Sequence, residues 1–583
     1  MKDFSTLLTK IRPCPFLAAI FILLALLVTP GSTYAQNDGG QLSGNLEANA
    51  NFFIRDSLIG AANTPQYDRQ LYGGEAWLNL NYSNWGFDFG LRFDLFNNSN
   101  LLNPTGSFTG EGIGRWFIHK KVNKLDISVG YLYDQIGSGI IFRAFEQRPL
   151  LIDNALFGAR LAYDIAPDWQ IKGFTGRQKQ QFDVYEQVIK GGSIDGYLNG
   201  GEGANWSIAP GFGIVNRTLD DGAMNSLVAT INTYNKEDAF VPKYNTYAFS
   251  LYNTLSAGPF TWYVEGAYKT DDNLNNPFGE IEQPDSSVVI GDRFYKSSGS
   301  VVYTSVSYAK SGLGISLEAK RTEDFDFRVR PQESLNRGLV NFLPPMARVN
   351  TYRLTARYNA ATQFLGETAY QLDVRYNYKR KLGFNVNFSN ITSNTSLSKL
   401  ADFNSNLLYR ELYTEVSYKH KRLWQLLAGV QMQRYNQEIF EFKPEVPIVE
   451  TFIPYFDFLY KFDRKKSIRF EAQYMFIGKD KKADALQDYG EWAFGLVEFS
   501  VAPHWTFTVS DMYNINPGKN SPTNENGEKE ALHYPRFDVF YTTGPNRFSL
   551  SYIKQVEGVV CTGGICRLEP AFSGVKLTVN STF

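Results

Sequence analysis

The chain is expected to be all-β: a transmembrane antiparallel up-and-down barrel of about 24 strands (range 20 to 26) with loop segments folded inward. Three observations predict this: an apolar leader, period-two patterning from end to end, and a closing strand that stops on an aromatic residue. The average composition agrees. Aromatics make up 15% of the residues, with 49 Gly and only 6 Met, yet the mean hydropathy is −0.29. Strands that are half apolar and half polar look hydrophilic on average, as barrel walls do.

The N-terminus reads as a secretory leader. Lys2, Lys10 and Arg12 precede the apolar run 16–28, and Pro30 and a small-residue site ending at Ala35 follow it. That run is shorter than the ~20 residues a membrane helix needs, so cleavage is expected after Ala35. Residues 1–35 are thus a signal peptide and 36–583 one barrel domain. Cys14 lies ahead of the apolar run, which argues against a lipoprotein. The leader holds three of the 58 basic and one of the 59 acidic residues, leaving 55 against 58 and a nearly neutral mature chain. Such a balance points to no nucleic-acid partner.

The first strand is expected at 40–54, too close to the leader for an N-terminal plug domain of the kind TonB-type receptors carry. The clearest strand follows at 85–96. Trp85, Phe87, Phe89, Leu91, Phe93 and Leu95 share one face, and Asp88, Arg92 and Asp94 share the other. Charges in a dry core are costly without partners, whereas a wet lumen accepts them. These three residues are therefore expected on the lumen wall. Strands of the same pattern are expected at 125–133, 157–165, 169–175, 247–255, 260–268, 313–319, 352–358, 372–378 and 382–388. Others follow at 412–418, 423–435, 452–460, 468–476, 492–501, 505–513, 537–541 and 548–552. Counting back from Phe583 yields twelve strands as far as Val349, and counting forward from Gly40 yields thirteen as far as Thr322. A closed bacterial barrel does not allow the odd sum. Suspicion falls on 180–243 and on 325–347, which holds Pro331, Pro344 and Pro345.

Short turns alternate with long loops. Trp85, Trp169, Trp424 and Trp505 sit beside short turns, where an aromatic belt belongs. Those turns are basic: Lys120, Lys121 and Lys124; Lys379, Arg380 and Lys381; Lys419, His420, Lys421 and Arg422; Arg464, Lys465 and Lys466. They face either lipid phosphates or a periplasmic or outer-membrane protein partner. The last strand puts Val575, Leu577 and Val579 on one face and ends on Phe583. This is the form of the signal read by barrel-insertion machinery, although Ser581 stands where a second aromatic is common.

The segment 133–163 mixes apolar residues with charges and is expected to fold into the lumen. Arg143, Glu146, Arg148 and Asp153 then either set a constriction, as charged rings do in pores, or pair with the wall and brace it. Cys561 and Cys566, in VVCTGGIC, are expected to form a disulfide in an outer loop. No metal-ligand cluster stands beside them. None of His119, His420, His504 and His533 has a Ser and an acid at triad spacing, and no cofactor motif is present, so no enzymatic role is expected.

The runs YDQIGSGIIFRAFEQR and IDNALFGARL, with FLPPMARVNTYRL, ATQFLGETAYQLDVRY and GVVCTGGICRLEPAFSGVKLTVNSTF, resemble an uncharacterised family of Bacteroidota outer-membrane barrels. The resemblance implies fold and compartment and names no substrate. The expected function is an outer-membrane channel or uptake pore for hydrophilic or amphipathic solutes, narrowed by 136–155. The alternative is a plugged barrel acting as the scaffold of an envelope assembly.

Overall fold

The alternation read from the sequence closes on itself in the computed structural model, which describes residues 40–201, 203–282, 288–394, 406–441, 443, 446–562 and 565–583. The expected leader lies outside them. The wall begins with β1 (Gln41–Phe53), β2 (Tyr72–Asn84), β3 (Phe87–Ser99), β4 (Phe108–Val122), β5 (Leu125–Leu132) and β6 (Leu156–Ala166). It continues through β7 (Trp169–Gln180), β8 (Asp183–Gly196), β9 (Trp206–Thr218), β10 (Asn245–Ala257), β11 (Phe260–Glu282) and β12 (Val288–Lys310). The second half runs from β13 (Leu313–Glu323) to β14 (Gly366–Tyr378), β15 (Leu382–Thr392), β16 (Leu407–His420), β17 (Trp424–Tyr435) and β18 (Val449–Lys461). Last come β19 (Lys466–Ile477), β20 (Gly490–Val501), β21 (Trp505–Pro517), β22 (His533–Thr543), β23 (Asn546–Gln555) and β24 (Phe572–Thr582). The sheet counts 25 strands; Leu198–Asn199 merely continues β8, which leaves a closed barrel of 24. Every neighbour is antiparallel, and β24 returns to β1 with Leu577 opposite Ala50 and Val579 opposite Ala48. Closure leaves no edge, so each backbone polar group that would face hydrocarbon is bonded within the ladder.

The outer face carries the apolar set. Phe93, Leu251, Val302, Leu317, Val509 and Leu550 are exposed large side chains on spanning strands, while Arg92 and Asp94 of β3 are buried on the inner face. The odd strand sum is explained at 352–358, which is not a strand. There Ala356 donates to the Tyr352 carbonyl and Arg357 to that of Leu354, and the coil buries Leu354 and Tyr358 together. Apolar residues four apart meet on one side of such a turn, so the apparent alternation was a helical spacing. The remaining strands are the thirteen up to Thr322 and eleven after Gly366.

One end of the barrel has short connections, including Trp85–Gly86 and Ser311–Gly312. The first residue of each has φ above zero, 53° at Trp85 and 52° at Ser311, as two-residue hairpin turns require. All the basic turns lie at this end. The other end holds the long segments, including α1 (Asp221–Ile231), whose cap Asp220 accepts from the Gly222 and Ala223 amides. There the 23-residue strands β11 and β12 project past their neighbours.

Phe583 lies on the closing seam: its amide and carbonyl exchange 2.9 Å bonds with Gly44, and its ring covers the Gly44 Cα, where a methyl would meet it at 2.6 Å. Phe583→Ala is expected to lower the yield of assembled barrel. Unboiled gel electrophoresis, which resolves folded from unfolded barrels, checks this; an unchanged folded fraction in membranes would remove the terminal aromatic from the assembly signal.

Candidate functional site

The lumen is occupied by two inward segments, 133–155 and 324–365. The first forms a short hairpin, Asp134–Ile136 with Phe142–Ala144, and a tighter one, Glu146–Gln147 with Ile152–Asp153. Its Ile136, Ile140, Ile141 and Phe142 pack in one apolar cluster with Phe325, Phe327, Val340, Leu343 and Met346 of the second. Inward wall residues such as Tyr252, Val301, Tyr409 and Trp492 complete that cluster. The barrel thus has a hydrophobic core inside it, buried by ordinary water exclusion.

Irregular backbone in such a place needs partners for its amides and carbonyls, and wall side chains supply them. Lys269 donates to the Asp326 carbonyl at 2.6 Å, Arg217 to that of Arg328 at 3.1 Å, and Gln178 to that of Leu339 at 2.6 Å. Lys320 donates to the Pro344 carbonyl, and Gln431 to that of Thr355 at 3.1 Å. The Gln473 amide oxygen accepts from the Leu354 amide at 2.8 Å. Glu265 receives both the amide and the hydroxyl of Ser138, at 2.9 and 2.6 Å. The wall cations are themselves neutralised: Asp272 pairs with Arg217 at 2.5 Å and Lys269 at 3.2 Å, and Glu367 with Lys320 at 2.8 Å.

Most of the charged residues singled out in the sequence converge on one network. Arg92 holds Asp94 through two bonds of 2.6 and 2.8 Å, Glu146 at 2.5 Å and Asp153 at 2.7 Å. Asp153 also accepts from Lys179 and, at 2.8 Å, from the Tyr133 hydroxyl. Arg148 joins Glu146 at 3.0 Å to Glu47 at 2.6 Å. Burial alone would push the Asp153 carboxyl up; the Lys179 and Arg92 cations outweigh it and hold it below the usual carboxylate range. Arg143 stands apart, its guanidinium over the rings of Phe145 and Phe342. Asp88 is remote as well, near the short-turn end with Ser83 and His119. The wall residues Lys179, Arg217, Lys269, Lys320 and Glu367 were missed. Their only sequence signal is a charge at an inward strand position.

Toward the long-loop end, above this core, lies a cavity of about 980 Å³. Phe364, Leu407, Leu408, Phe440 and Ile565 give it apolar walls, and Arg328, Glu333, Asn436 and Arg434 give it polar ones. The hairpin 558–569 borders it through Ile565 and Cys566. Cys561 and Cys566 stand opposite each other in that hairpin, and Cys566 is disulfide-bonded. Ile565 packs onto Leu150, Ile152 and Leu339 of the inward segments.

A closed barrel with its own internal core and a cavity above that core defines a plugged transmembrane β-barrel. The chain belongs to a family of unknown function, DUF6029, whose model spans residues 16–583. No curated protein matches the chain. Among solved structures it is similar to the P pilus usher translocation pore, with 8% identity, a TM-score of 0.38, and coverage of 93% of this chain and 99% of that one. The siderophore receptor PirA from Pseudomonas aeruginosa has 8% identity and a TM-score of 0.38 over 94% of this chain and 81% of its own. OccK5 of the same organism has 13% identity and a TM-score of 0.35 over 75% of this chain and 99% of its own. The barrel assignment rests on the strand ladder itself, and likenesses this distant carry no substrate across.

Proposed function

We propose that the protein is an outer-membrane uptake barrel for hydrophilic or amphipathic solutes, exported by its leader and gated by the two inward segments. The observation that supports this most is the cavity of about 980 Å³ on the long-loop side of a lumen filled by non-covalent contacts. Its size falls in the range of small-molecule sites, and its mixed lining suits an amphipathic solute. Passage requires part of the internal core to move aside. Enzymatic chemistry has no part in this reading.

Single-channel conductance in a planar bilayer tests it, comparing the full barrel with a variant lacking 139–151. The full barrel is expected to give small or intermittent steps. The deletion removes Ile140, Ile141 and Phe142 from the core and Arg148 from the network, and is expected to give larger steps. A folded deletion as silent as the parent would remove the channel reading.

A second reading has its own support. Lys320 and Glu367 are both almost wholly buried beside the inward segment, which suits a plug that never moves. On that reading the barrel is a scaffold, with the basic short-turn rim as the docking face for a periplasmic or outer-membrane protein partner.

A further inference from the structure

A second, smaller cavity of about 240 Å³ lies on the lumen side of the closing seam, against β1, β2, β23 and β24 and against Asn100, Leu101, Arg567, Glu569 and Pro570. Six charged side chains line it: Glu47, Glu75 and Glu569, with Arg148, Arg567 and Lys576. Only part of this charge is used. Arg148 takes Glu47 at 2.6 Å, and Glu75, 4% exposed, accepts from the Ser99 hydroxyl at 2.5 Å. Among the described residues, Lys576, Arg567 and Glu569 have no opposite charge within the 4.0 Å of an ion pair. Among the described residues Arg567 donates a long bond, 3.4 Å, to the Leu101 carbonyl. Asn51, opposite Lys576 in the ladder, holds its side-chain oxygen buried with no hydrogen-bond partner among the described residues.

Lys576 and Arg567 act on Glu75, and Glu569 on Arg353, only across gaps wider than an ion-pair contact, and charges held apart in a confined space gain from a ligand that bridges them. A solute bearing a single charge would satisfy one set and leave the other. A zwitterion satisfies both. The volume lies below the ~300 Å³ at which drug-sized sites begin, which limits the solute to about one or two amino-acid residues. Trp77, Phe53 and Phe572 supply apolar wall for a side chain.

We propose that this cavity binds a small zwitterion of amino-acid to dipeptide size, its carboxylate on Lys576 and Arg567 and its ammonium on Glu569. The site stands apart from the question of passage: a barrel silent in bilayers still binds such a solute, and one that conducts can lack the site. Arg148 also belongs to the inward hairpin, so the solute lies directly against the plug.

Calorimetric titration of the full-length barrel in detergent tests the proposal with three probes: L-alanyl-L-alanine, its N-acetyl form and its C-terminal amide. The free dipeptide is expected to bind, and each blocked form to bind at least about tenfold more weakly. Lys576→Met and Glu569→Gln are each expected to cause a similar loss, with the folded band on unboiled gels unchanged. Should K576M fail to assemble, Lys576→Arg keeps the charge and is expected to keep binding, and E569Q, in the hairpin 558–569 outside the barrel wall, carries the loss. The proposal is overturned if a blocked form binds as tightly as the dipeptide, if the folded charge variants bind normally, or if the dipeptide produces no heat up to about 10 mM.

Discussion

Arg92→Met is expected to destabilise the folded barrel by about 3–5 kcal/mol and to free the inward hairpin, because it leaves Asp94 and Asp153 to share one cation, Lys179, and leaves Glu146 with Arg148 alone. An unpaired carboxylate away from water costs far more than a pair contributes, so the loss exceeds that of an ordinary surface bridge. Urea unfolding in detergent measures the stability, and limited proteolysis within 139–151 measures the release. Asp88→Asn is the control: its side chain is 53% exposed, and it is expected to shift stability by no more than about 0.5 kcal/mol. A loss in R92M no larger than that of the control would mean that the network does not hold the plug.

Acid acts on the same network. Asp153 has its folded pKa lowered, so its contribution is complete above the unfolded carboxylate value of about 3.9. It is lost as the pH falls through the lower folded value. The part of the hold on the hairpin that Asp153 supplies is therefore expected to be lost only in strong acid, and an Asp153→Asn variant whose hairpin proteolysis keeps the wild-type acid profile would contradict the assignment.

Lys320→Met is expected to have the other large effect, again about 3–5 kcal/mol, since it leaves Glu367 buried without its cation and the Pro344 carbonyl without its donor. The double variant Lys320→Met with Glu367→Met is expected to recover most of that loss, because two apolar side chains of similar size carry no stranded charge. The double-mutant cycle isolates the pair from the carbonyl contact, which neither variant restores. Additive losses in the two single variants would show that the pair is not coupled.

The wall was legible because its signal is local. Residues 85–96 alternate apolar and charged side chains, and that alternation alone assigns Phe93 to the outside and Arg92 to the inside. The inward fold was legible over 133–155 for the same reason in reverse, since Ile140, Ile141 and Phe142 stand together where an outer loop would be polar, whereas 156–163, expected in the same inward segment, belongs to the wall strand β6. The segment 324–365 was not. Its prolines marked it as irregular, yet the run from Tyr352 to Tyr358 imitated a strand, because spacings of two and four coincide wherever apolar residues stand at both. The candidate site was half legible. Arg92, Asp94, Glu146, Arg148 and Asp153 were chosen for their charge, but nothing near them in the chain says that Lys179 completes their network.

Period and composition, read along the chain, were enough to specify a transmembrane barrel and which side of each strand meets lipid, because both depend only on neighbours two residues apart. What fills the lumen was decided in three dimensions. Gln178 meets the Leu339 carbonyl, Glu265 meets Ser138, and Leu354 meets Gln473. Such contacts join residues more than a hundred positions apart, and they exist only once the ladder has closed and set every wall side chain at its height.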